Sequence, residues 1–262
     1  MRPELLYNPR LLCERIAEWS LARRRLARLR GTVARGLATG HIDSLELLEL
    51  LRPLSIDTIY DIGANVGTWT LLAKAIFPHA VVHAFEPLDC HTATFQREVG
   101  KLDGVHLHSI ALGEVAGHAE MRVTDFSDAS SILPLSHAGE QQYHIHQVAT
   151  EQVPLARLDD WQSDEQLPLP SLLKLDVQGF ELSVLRGSLR SLEHTSAVIV
   201  EVSFREFYQG QCLFQDVVEF LAERGFALHA LGQGTAMGKP LLQADALFVA
   251  TRVRDRLNKV KT

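Results

Sequence analysis

The sequence predicts an α/β fold in which helices cover both faces of a mostly parallel sheet. From Thr58 onward, short apolar runs rich in β-branched residues alternate with helical stretches. The 262 residues are 46% hydrophobic and 22% charged, which is typical of a globular protein with one large domain. Because neighbouring parallel strands need a long crossover between them, this regular alternation indicates parallel pairing.

The start of the chain is predicted to be a helical extension of that domain. Residues 4–52 place apolar side chains near helical spacing, and three glycines divide them into two or three helices. The last of these helices is predicted over Asp43–Leu51, before a proline. We therefore divide the chain into an N-terminal helical extension, 1–54, and a ligand-binding domain, 55–262.

The extension is strongly basic. Residues 1–40 hold nine arginines against three glutamates, in a chain whose total net charge is −6. A basic arm could contact a phosphorylated partner, a membrane surface or nucleic acid. An amphipathic helix with a solvated arginine face and leucines packed on the domain explains the same pattern. We favour this second interpretation and expect no nucleic-acid partner.

Cysteine usage and hydropathy indicate the compartment. Cys13, Cys90 and Cys212 are far apart and form no C-x-x-C pair, so neither a disulfide framework nor a metal site is expected. No apolar run approaches the roughly 18 residues of a membrane span. Charged residues also interrupt the N-terminus, where a signal peptide would need an apolar run. The expected location is the cytoplasm.

Seven apolar runs are predicted to form the sheet. The parallel strands are predicted at Thr58–Ile62, Val81–Phe85, Val105–Ala111, Leu172–Val177 and Ala197–Val202. A terminal antiparallel pair is predicted at Phe226–Leu231 and Ala244–Ala250, joined by a glycine-rich stretch. Residues 113–160 contain one weak strand, Ala119–Val123, and are otherwise predicted to form a long polar loop.

A compact glycine turn follows the first strand. It includes Asp61, Gly63, Asn65 and Gly67 and precedes a helix predicted over Thr68–Ile76. Open α/β sheets bind ligands at the carboxyl ends of their strands, and glycines let the backbone approach the ligand closely. The spacing is neither G-x-G-x-x-G nor that of a P-loop, which favours a ligand without a phosphate at this turn. Asp61 could bond an ammonium group.

A carboxylate follows the second strand. Glu86 and Pro87 come directly after Val81–Phe85, about 20 residues beyond the glycine turn, where adenosine-binding folds place an acidic residue on the ribose hydroxyls. A carboxylate that accepts from two adjacent hydroxyls makes a bidentate contact. On the glycine turn alone, a purely structural role in any α/β protein stays open, and Glu86 favours an adenosine-like ligand.

Several motifs together resemble the FkbM family of methyltransferases. The resemblance rests on Asp-Ile-Gly-Ala-Asn-Val-Gly-Thr-Trp-Thr from Asp61, Ala84-Phe85-Glu86-Pro87, Ile110-Ala111-Leu112-Gly113, the block Leu173–Glu181 with Val184-Leu185-Arg186-Gly187, and Val200-Glu201-Val202. It spans roughly residues 55–205 in the order of the family and leaves residues 1–50 and the far C-terminus uncovered.

The resemblance implies a Rossmann-like class I methyltransferase fold with a seven-stranded, mostly parallel sheet that binds S-adenosylmethionine. The cofactor-binding positions it implies are Asp61, Gly63, Asn65, Gly67, Thr68, Trp69, Glu86, Pro87, Ser109, Ala111 and Asp176. The substrate-binding positions it implies are Ser130, Ser131, Gln178 and Glu181. Glu181 could instead orient a loop at the start of the following helix.

Methyl transfer to an alcohol requires an acceptor held in line with the methyl group and a base that takes its proton. Asp176 is our first candidate for this base. Lys174 alternates with Asp176 along the strand and could pair with it, and Glu201 lies in the next matching block. Lys174 and Glu201 could equally form a fold-stabilising pair behind the site.

The activity that the resemblance implies is O-methylation of a hydroxyl on a sugar, a polyketide or another natural product, with a small hydroxylated molecule as partner. An N-methyltransferase stays open because the sequence does not report the acceptor atom. So does a non-catalytic methyltransferase-like protein that binds adenosine ligands. A dinucleotide oxidoreductase is the other enzyme class, but its glycine spacing is missing. Acceptor specificity is expected to lie in the 124–152 loop and the N-terminal helices.

Overall fold

The structure, a computed structural model, describes residues 20–232 and 240–258, except for the side chains of residues 142 and 143. The helices predicted before residue 20, three of the arginines and Cys13 lie outside the described residues, as does most of the glycine-rich stretch.

Strands and helices alternate after a helical start. The helices are α1 (described over 20–28), α2 (Leu45–Leu50), α3 (Thr68–Ile76), α4 (Asp89–Glu98), α5 (His137–Tyr143), α6 (Leu158–Asp164), α7 (Glu181–Arg186), α8 (Leu189–His194), α9 (Phe214–Ala222) and α10 (Arg254–Asn258). The strands are β1 (Thr58–Ile62), β2 (Val81–Phe85), β3 (Val105–His108), β4 (Ala111–Leu112), β5 (Gly117–Thr124), β6 (Gln147–Ala156), β7 (Leu172–Leu175), β8 (Ala197–Ser203), β9 (Phe226–Leu231) and β10 (Gln243–Ala250). Of the helices in the described part of the chain, none has the length and apolar character to cross a membrane.

Within the described residues, seven strands form one sheet in the order β3-β2-β1-β7-β8-β10-β9. The first five of these run parallel, and β10 is inserted antiparallel between β8 and β9. The predicted α/β fold with a mostly parallel seven-stranded sheet is confirmed. The chain leaves β1 for β2 on one side and returns to β7 on the other, so a crevice opens at the carboxyl ends of β1 and β7.

The prediction of a long polar loop over 113–160 is wrong in large part. The weak strand predicted at Ala119–Val123 is the longer β5, which pairs antiparallel with β6, and β4 joins β6 to complete a three-stranded sheet. The first six residues of β6 are exposed, so its sequence lacks the alternation that marks a half-buried strand. This part of the strand is therefore stabilised by backbone hydrogen bonds to β5 and not by burial of alternate side chains.

Two predicted strands are shorter in the structure. The run Val105–Ala111 is divided because β3 ends at His108, and the chain then moves into the second sheet at Ala111. The strand predicted to reach Val177 ends at Leu175. The chain turns there because Gln178 and Gly179 both have positive φ, 53° and 97°.

The described part of the helical extension packs against the sheet. Leu29, Ile42 and Leu48 are fully buried and belong to the same hydrophobic cluster as the central strands. Arg25, with 4% of its side chain exposed, donates to Glu46 of α2 at 2.7 Å. The extension and the sheet therefore share one core, and the boundary at residue 54 stays a prediction.

Three histidines of the neighbouring strands β2 and β3 stack on one another. The His83 ring lies 5.1 Å from the His106 ring and 5.3 Å from the His108 ring. His83 Nδ1 is 3.1 Å from His108 Nε2, a contact that needs at least one ring to be neutral. Burial, together with the nearby His108 and His106, lowers the pKa of His83 to about 4. Burial likewise lowers the pKa of His108 to about 4.

This cluster predicts that acid weakens the fold. A histidine in the unfolded chain titrates near pH 6.5, so the unfolded state binds more protons between about pH 4 and 6.5, and the histidines cost stability as pH falls through that window. The His83→Phe variant should therefore lose less stability than the wild type between about pH 7 and 5, measured by urea unfolding.

The pH dependence of each variant must be compared with that of the wild type, because several buried carboxyl groups act in the opposite direction. Burial raises the pKa of Asp61 to about 6 and that of Glu181 to about 7, so their protonation on acidification stabilises the fold. His118→Gln, at an exposed position of β5, is the control and should follow the wild type. Equal pH slopes for His83→Phe and the wild type would rule out the histidine effect.

Candidate active site

A cavity of about 390 Å³ lies at the carboxyl ends of the parallel strands. One half, which we call the β1–β3 half, is lined by the segments that follow β1, β2 and β3. The other, the β7–β10 half, is lined by residues at the ends of β7, β8 and β10 and by Gly40, His41, Asp43 and Ser44 of the extension. The predicted site residues that line the cavity are Gly63, Asn65, Thr68, Trp69, Glu86, Pro87, Ala111, Ser130, Lys174, Asp176, Gln178 and Glu201.

Three predicted cofactor residues lie outside this lining. Asp61 is fully buried within β1, where its Oδ2 accepts a hydrogen bond from the Thr70 hydroxyl at 2.6 Å. Gly67 directly precedes α3, has φ +87° and packs against Phe95 of α4. Ser109 is exposed at the turn after β3, and its neighbours, including Ala111, face the cavity instead.

Two predicted substrate residues support the loop after β7 rather than the cavity surface. The buried Ser131 hydroxyl donates to the Gln178 carbonyl oxygen at 2.7 Å. Glu181 Oε1 accepts from the backbone amides of Val177 and Gly179, each at 3.1 Å. The structure thus places Glu181 in the loop-orienting role that was its alternative.

The glycine turn is packed tightly against the end of β7. A Cβ on Gly63 would lie 1.9 Å from the Asp176 carbonyl oxygen, and its φ of +81° favours glycine. The amides of Gly63 and Ala64 both donate to the Phe85 carbonyl oxygen at 3.0 Å. The turn is therefore held between β2 and β7, with its backbone at the cavity surface.

This contact predicts that Gly63→Ala is strongly destabilising. The added methyl group would collide with backbone that cannot move freely, and the positive φ adds strain, so we expect a loss of roughly 2–4 kcal/mol in the free energy of unfolding. Gly31→Ala is the matched control, because a Cβ there meets nothing within 4 Å. Equal unfolding midpoints of the two variants in urea would contradict this account.

Glu86 is buried at the end of β2 with both carboxylate oxygens oriented. Its Oε2 accepts from the backbone amide of Asn65 and its Oε1 from the backbone amide of Leu88, each at 2.9 Å. His91 Nδ1 lies 3.3 Å from Oε1. Since each carboxylate oxygen can accept twice, Oε2 retains capacity for a ligand hydroxyl.

Two buried polar atoms of the β1–β3 half have no hydrogen-bond partner within the described residues. They are Asn65 Oδ1, an acceptor, and Trp69 Nε1, a donor. The Asn65 side chain is oriented by its amide nitrogen, which donates to Asp128 at 2.9 Å. Buried polar atoms are normally paired, so these two are suited to a polar ligand in the cavity.

A connected polar network lies in the β7–β10 half. Lys174 Nζ donates to Asp176 Oδ2 at 3.0 Å. Gln178 Nε2 donates to Asp176 Oδ1 at 2.7 Å and to Glu201 Oε2 at 2.9 Å. The Lys174 side chain is 3% exposed and that of Asp176 33%, so the carboxylate is the part of the ion pair that faces the cavity.

The electrostatics of this network are dominated by carboxylates. Burial raises the pKa of Glu201 well above its ordinary value, and the nearby Asp176 and Asp245 raise it further. Burial opposes the charge of Lys174, but Asp176, Asp245 and Asp61 outweigh this effect and raise the pKa of the lysine. Lys174 therefore stays protonated, while Glu201 has a high affinity for a proton.

Several lining residues were not found from the sequence. Asp43 and Ser44 come from the extension, and the Ser44 hydroxyl donates to Asp245 Oδ2 in β10. The Tyr208 hydroxyl lies 3.0 Å from Gln178 Oε1. A carboxylate within the apolar run Ala244–Ala250 was a usable signal for Asp245. The other three stand in no pattern that marks them.

The comparisons with known proteins identify the family. The methyltransferase FkbM domain matches residues 61–228, and the chain belongs to this family. It is 29% identical over 189 residues to the 2-O-methyltransferase NoeI of Sinorhizobium fredii, covering 69% of this chain and 76% of that protein. It is 27% identical over 146 residues to the hexuronic acid methyltransferase AglP of Haloferax volcanii, covering 56% of each.

Among solved structures, the fold is similar to precorrin-6y C5,15-methyltransferase from Geobacter metallireducens. The sequence identity is 15%, the match covers 77% of this chain and 84% of that chain, and the TM-score is 0.44.

The protein is an S-adenosylmethionine-dependent methyltransferase, as the motifs predicted. The β1–β3 half fits this cofactor. Glu86 has free acceptor capacity for ribose hydroxyls, and Asn65 and Trp69 offer buried polar atoms without partners. Ile110, Ala111 and Leu112 supply an apolar surface suited to an aromatic base.

Proposed function

We propose that the protein methylates a hydroxyl group of a sugar or of another hydroxylated natural product. The names of two relatives support this: NoeI is a 2-O-methyltransferase, and AglP is a hexuronic acid methyltransferase. The observation that carries the proposal is the oriented Asp176 carboxylate at the cavity surface. An alcohol needs such a base, because it is a poor nucleophile until its proton is removed.

The β1–β3 half would hold the cofactor. S-adenosylmethionine supplies an activated methyl group when it is bound. Glu86 would accept hydrogen bonds from its ribose hydroxyls, Asn65 would offer its Oδ1, and Trp69 would offer its Nε1. In this proposal the glycine turn lets its backbone lie close to the ligand, because Gly63 has no side chain.

Asp176 is proposed to take the proton of the acceptor hydroxyl. Lys174 and Gln178 each occupy one lone pair of a different carboxylate oxygen, which leaves each oxygen able to accept once more. The two donors fix the plane of the carboxylate, and the lysine places a positive charge beside it. Glu201 shares the Gln178 amide, so it lies close enough to influence the charge of the base.

Replacement of Glu86 by glutamine tests the cofactor site. The variant keeps the shape of the side chain but loses a charged acceptor, and hydrogen bonds to charged groups contribute about 1.5–3 kcal/mol, so affinity for S-adenosylmethionine should fall about tenfold or more. Calorimetry measures this directly. Glu193→Gln, at an exposed position of α8, should bind as the wild type does. Unchanged affinity in Glu86→Gln would remove Glu86 from the proposed role.

Replacement of Asp176 by asparagine tests the base. Asparagine can still accept one hydrogen bond but cannot take a proton at neutral pH, so kcat for an alcohol acceptor should fall about 100-fold or more, while cofactor affinity changes little. Initial rates of S-adenosylhomocysteine formation give kcat. Glu201→Gln should reduce kcat less, and Asp164→Asn, on the exposed side of α6, should not change it. A larger loss in Glu201→Gln than in Asp176→Asn would assign the base to Glu201.

A further inference from the structure

The β7–β10 half of the cavity has an unusual charge balance. Its lining includes four carboxyl groups, from Asp43, Asp176, Glu201 and Asp245, of which the buried Glu201 binds a proton most readily. Among the described residues that line this half, Lys174 supplies the one side chain with a permanent positive charge, and its ammonium is already bound to Asp176 at 3.0 Å. The surface offered to an acceptor is therefore negative.

The carboxylates also act on one another. Burial is the largest cause of the raised pKa of Asp43 and of Asp245. Arg25, which lies 3.8 Å from Asp43, and Lys174, beside Asp245, each oppose this effect in part. A neighbouring carboxylate of the same cavity raises each pKa in turn: Asp245 acts on Asp43, and Asp176 acts on Asp245. Like charges that already repel one another in a partly buried wall leave little tolerance for another negative charge.

Two of these four carboxyl groups come from outside the FkbM domain. That domain covers residues 61–228, whereas Asp43 belongs to the helical extension and Asp245 to β10. The Ser44 hydroxyl, next to Asp43 in the chain, donates to Asp245 and so joins the two segments. The segments on either side of the domain thus complete this negatively charged wall of the cavity.

We propose that the β7–β10 half is the acceptor subsite and that its carboxylates select a hydroxylated acceptor without negative charge, rejecting uronate-type sugars. This rests on the proposed function. Hydroxyl groups donate to carboxylates, and such charge-assisted bonds are favourable. A uronate would instead bring a carboxylate into a half-buried negative wall, where the described lining offers no free lysine or arginine to pair with it.

Matched glycosides test this charge selection. The probes are the methyl glycosides of glucose, galactose and mannose, the corresponding methyl glycosiduronates, and the methyl esters of those uronates. The ester restores neutrality while it keeps a bulky C6 group. The rate of S-adenosylhomocysteine formation gives kcat/KM for each probe. For any of the three sugars that is a substrate, we expect kcat/KM of the neutral glycoside and of the methyl ester to exceed that of the uronate by about tenfold or more.

A pair of charge variants links the selection to the wall. Asp43→Asn combined with Asp245→Asn removes two negative charges while the amide oxygen at 245 can still accept from Ser44. This variant should lower the preference for neutral over uronate acceptor at least about threefold. Asp164→Asn combined with Asp255→Asn changes net charge equally at exposed positions and should retain the wild-type preference.

The outcomes separate this inference from the proposed function. A uronate used as well as its neutral partner, or a preference unchanged in the Asp43/Asp245 variant, overturns the charge selection while methyl transfer to oxygen stands. Rejection of both the uronate and its ester would assign the discrimination to size and also overturns it. If no glycoside is a substrate, and none binds by calorimetry in the presence of S-adenosylhomocysteine, both the charge selection and the proposal of a sugar acceptor are overturned. Cofactor affinity is measured separately and is unaffected by these results.

Discussion

The close contact between the glycine turn and the end of β7 is the constraint on which the site depends. The Asp176 amide donates to the Ile62 carbonyl oxygen at 3.0 Å, and the Asp176 carbonyl oxygen leaves no space for a side chain on Gly63. This contact brings the carboxyl ends of β1 and β7 together at the point where the strand order reverses. The cofactor and the proposed base can therefore lie side by side.

The polar network beside this contact is costly to bury. Asp61 stands opposite Lys174 in the strand register, and Glu201 stands opposite Asp245, so four ionisable side chains occupy neighbouring strands. Bonds from Gln178 and Ser44 offset part of the desolvation. Gln178 itself has a φ of 53°, which is strained for a residue other than glycine. Strain and unbalanced charge concentrated at one cavity are typical of a functional site.

Sequence patterns described the central sheet better than the second one. The bounds predicted for β1, β2 and β9 are those of the structure. For β1 and β2 the reason is that buried strands are short apolar runs that end at polar turns. The exposed strand β6 carries no such pattern and depends on its pairing with β5. The extension was predicted to be helical, but its packing into the core and its place in the cavity depend on contacts that no local pattern reports.

The sequence by itself determined the family, the cofactor and the strand ends that surround it, because a strand, its glycine turn and the next acidic residue are close along the chain and their spacing is readable. Only the tertiary structure decided how the β7–β10 half is built. The bond from Ser44 to Asp245 joins residues 201 positions apart, and Tyr208 reaches Gln178 across 30 positions. Such contacts arise from packing of the whole sheet, so the residues that the extension and β10 bring to this half cannot be recognised until the chain is folded.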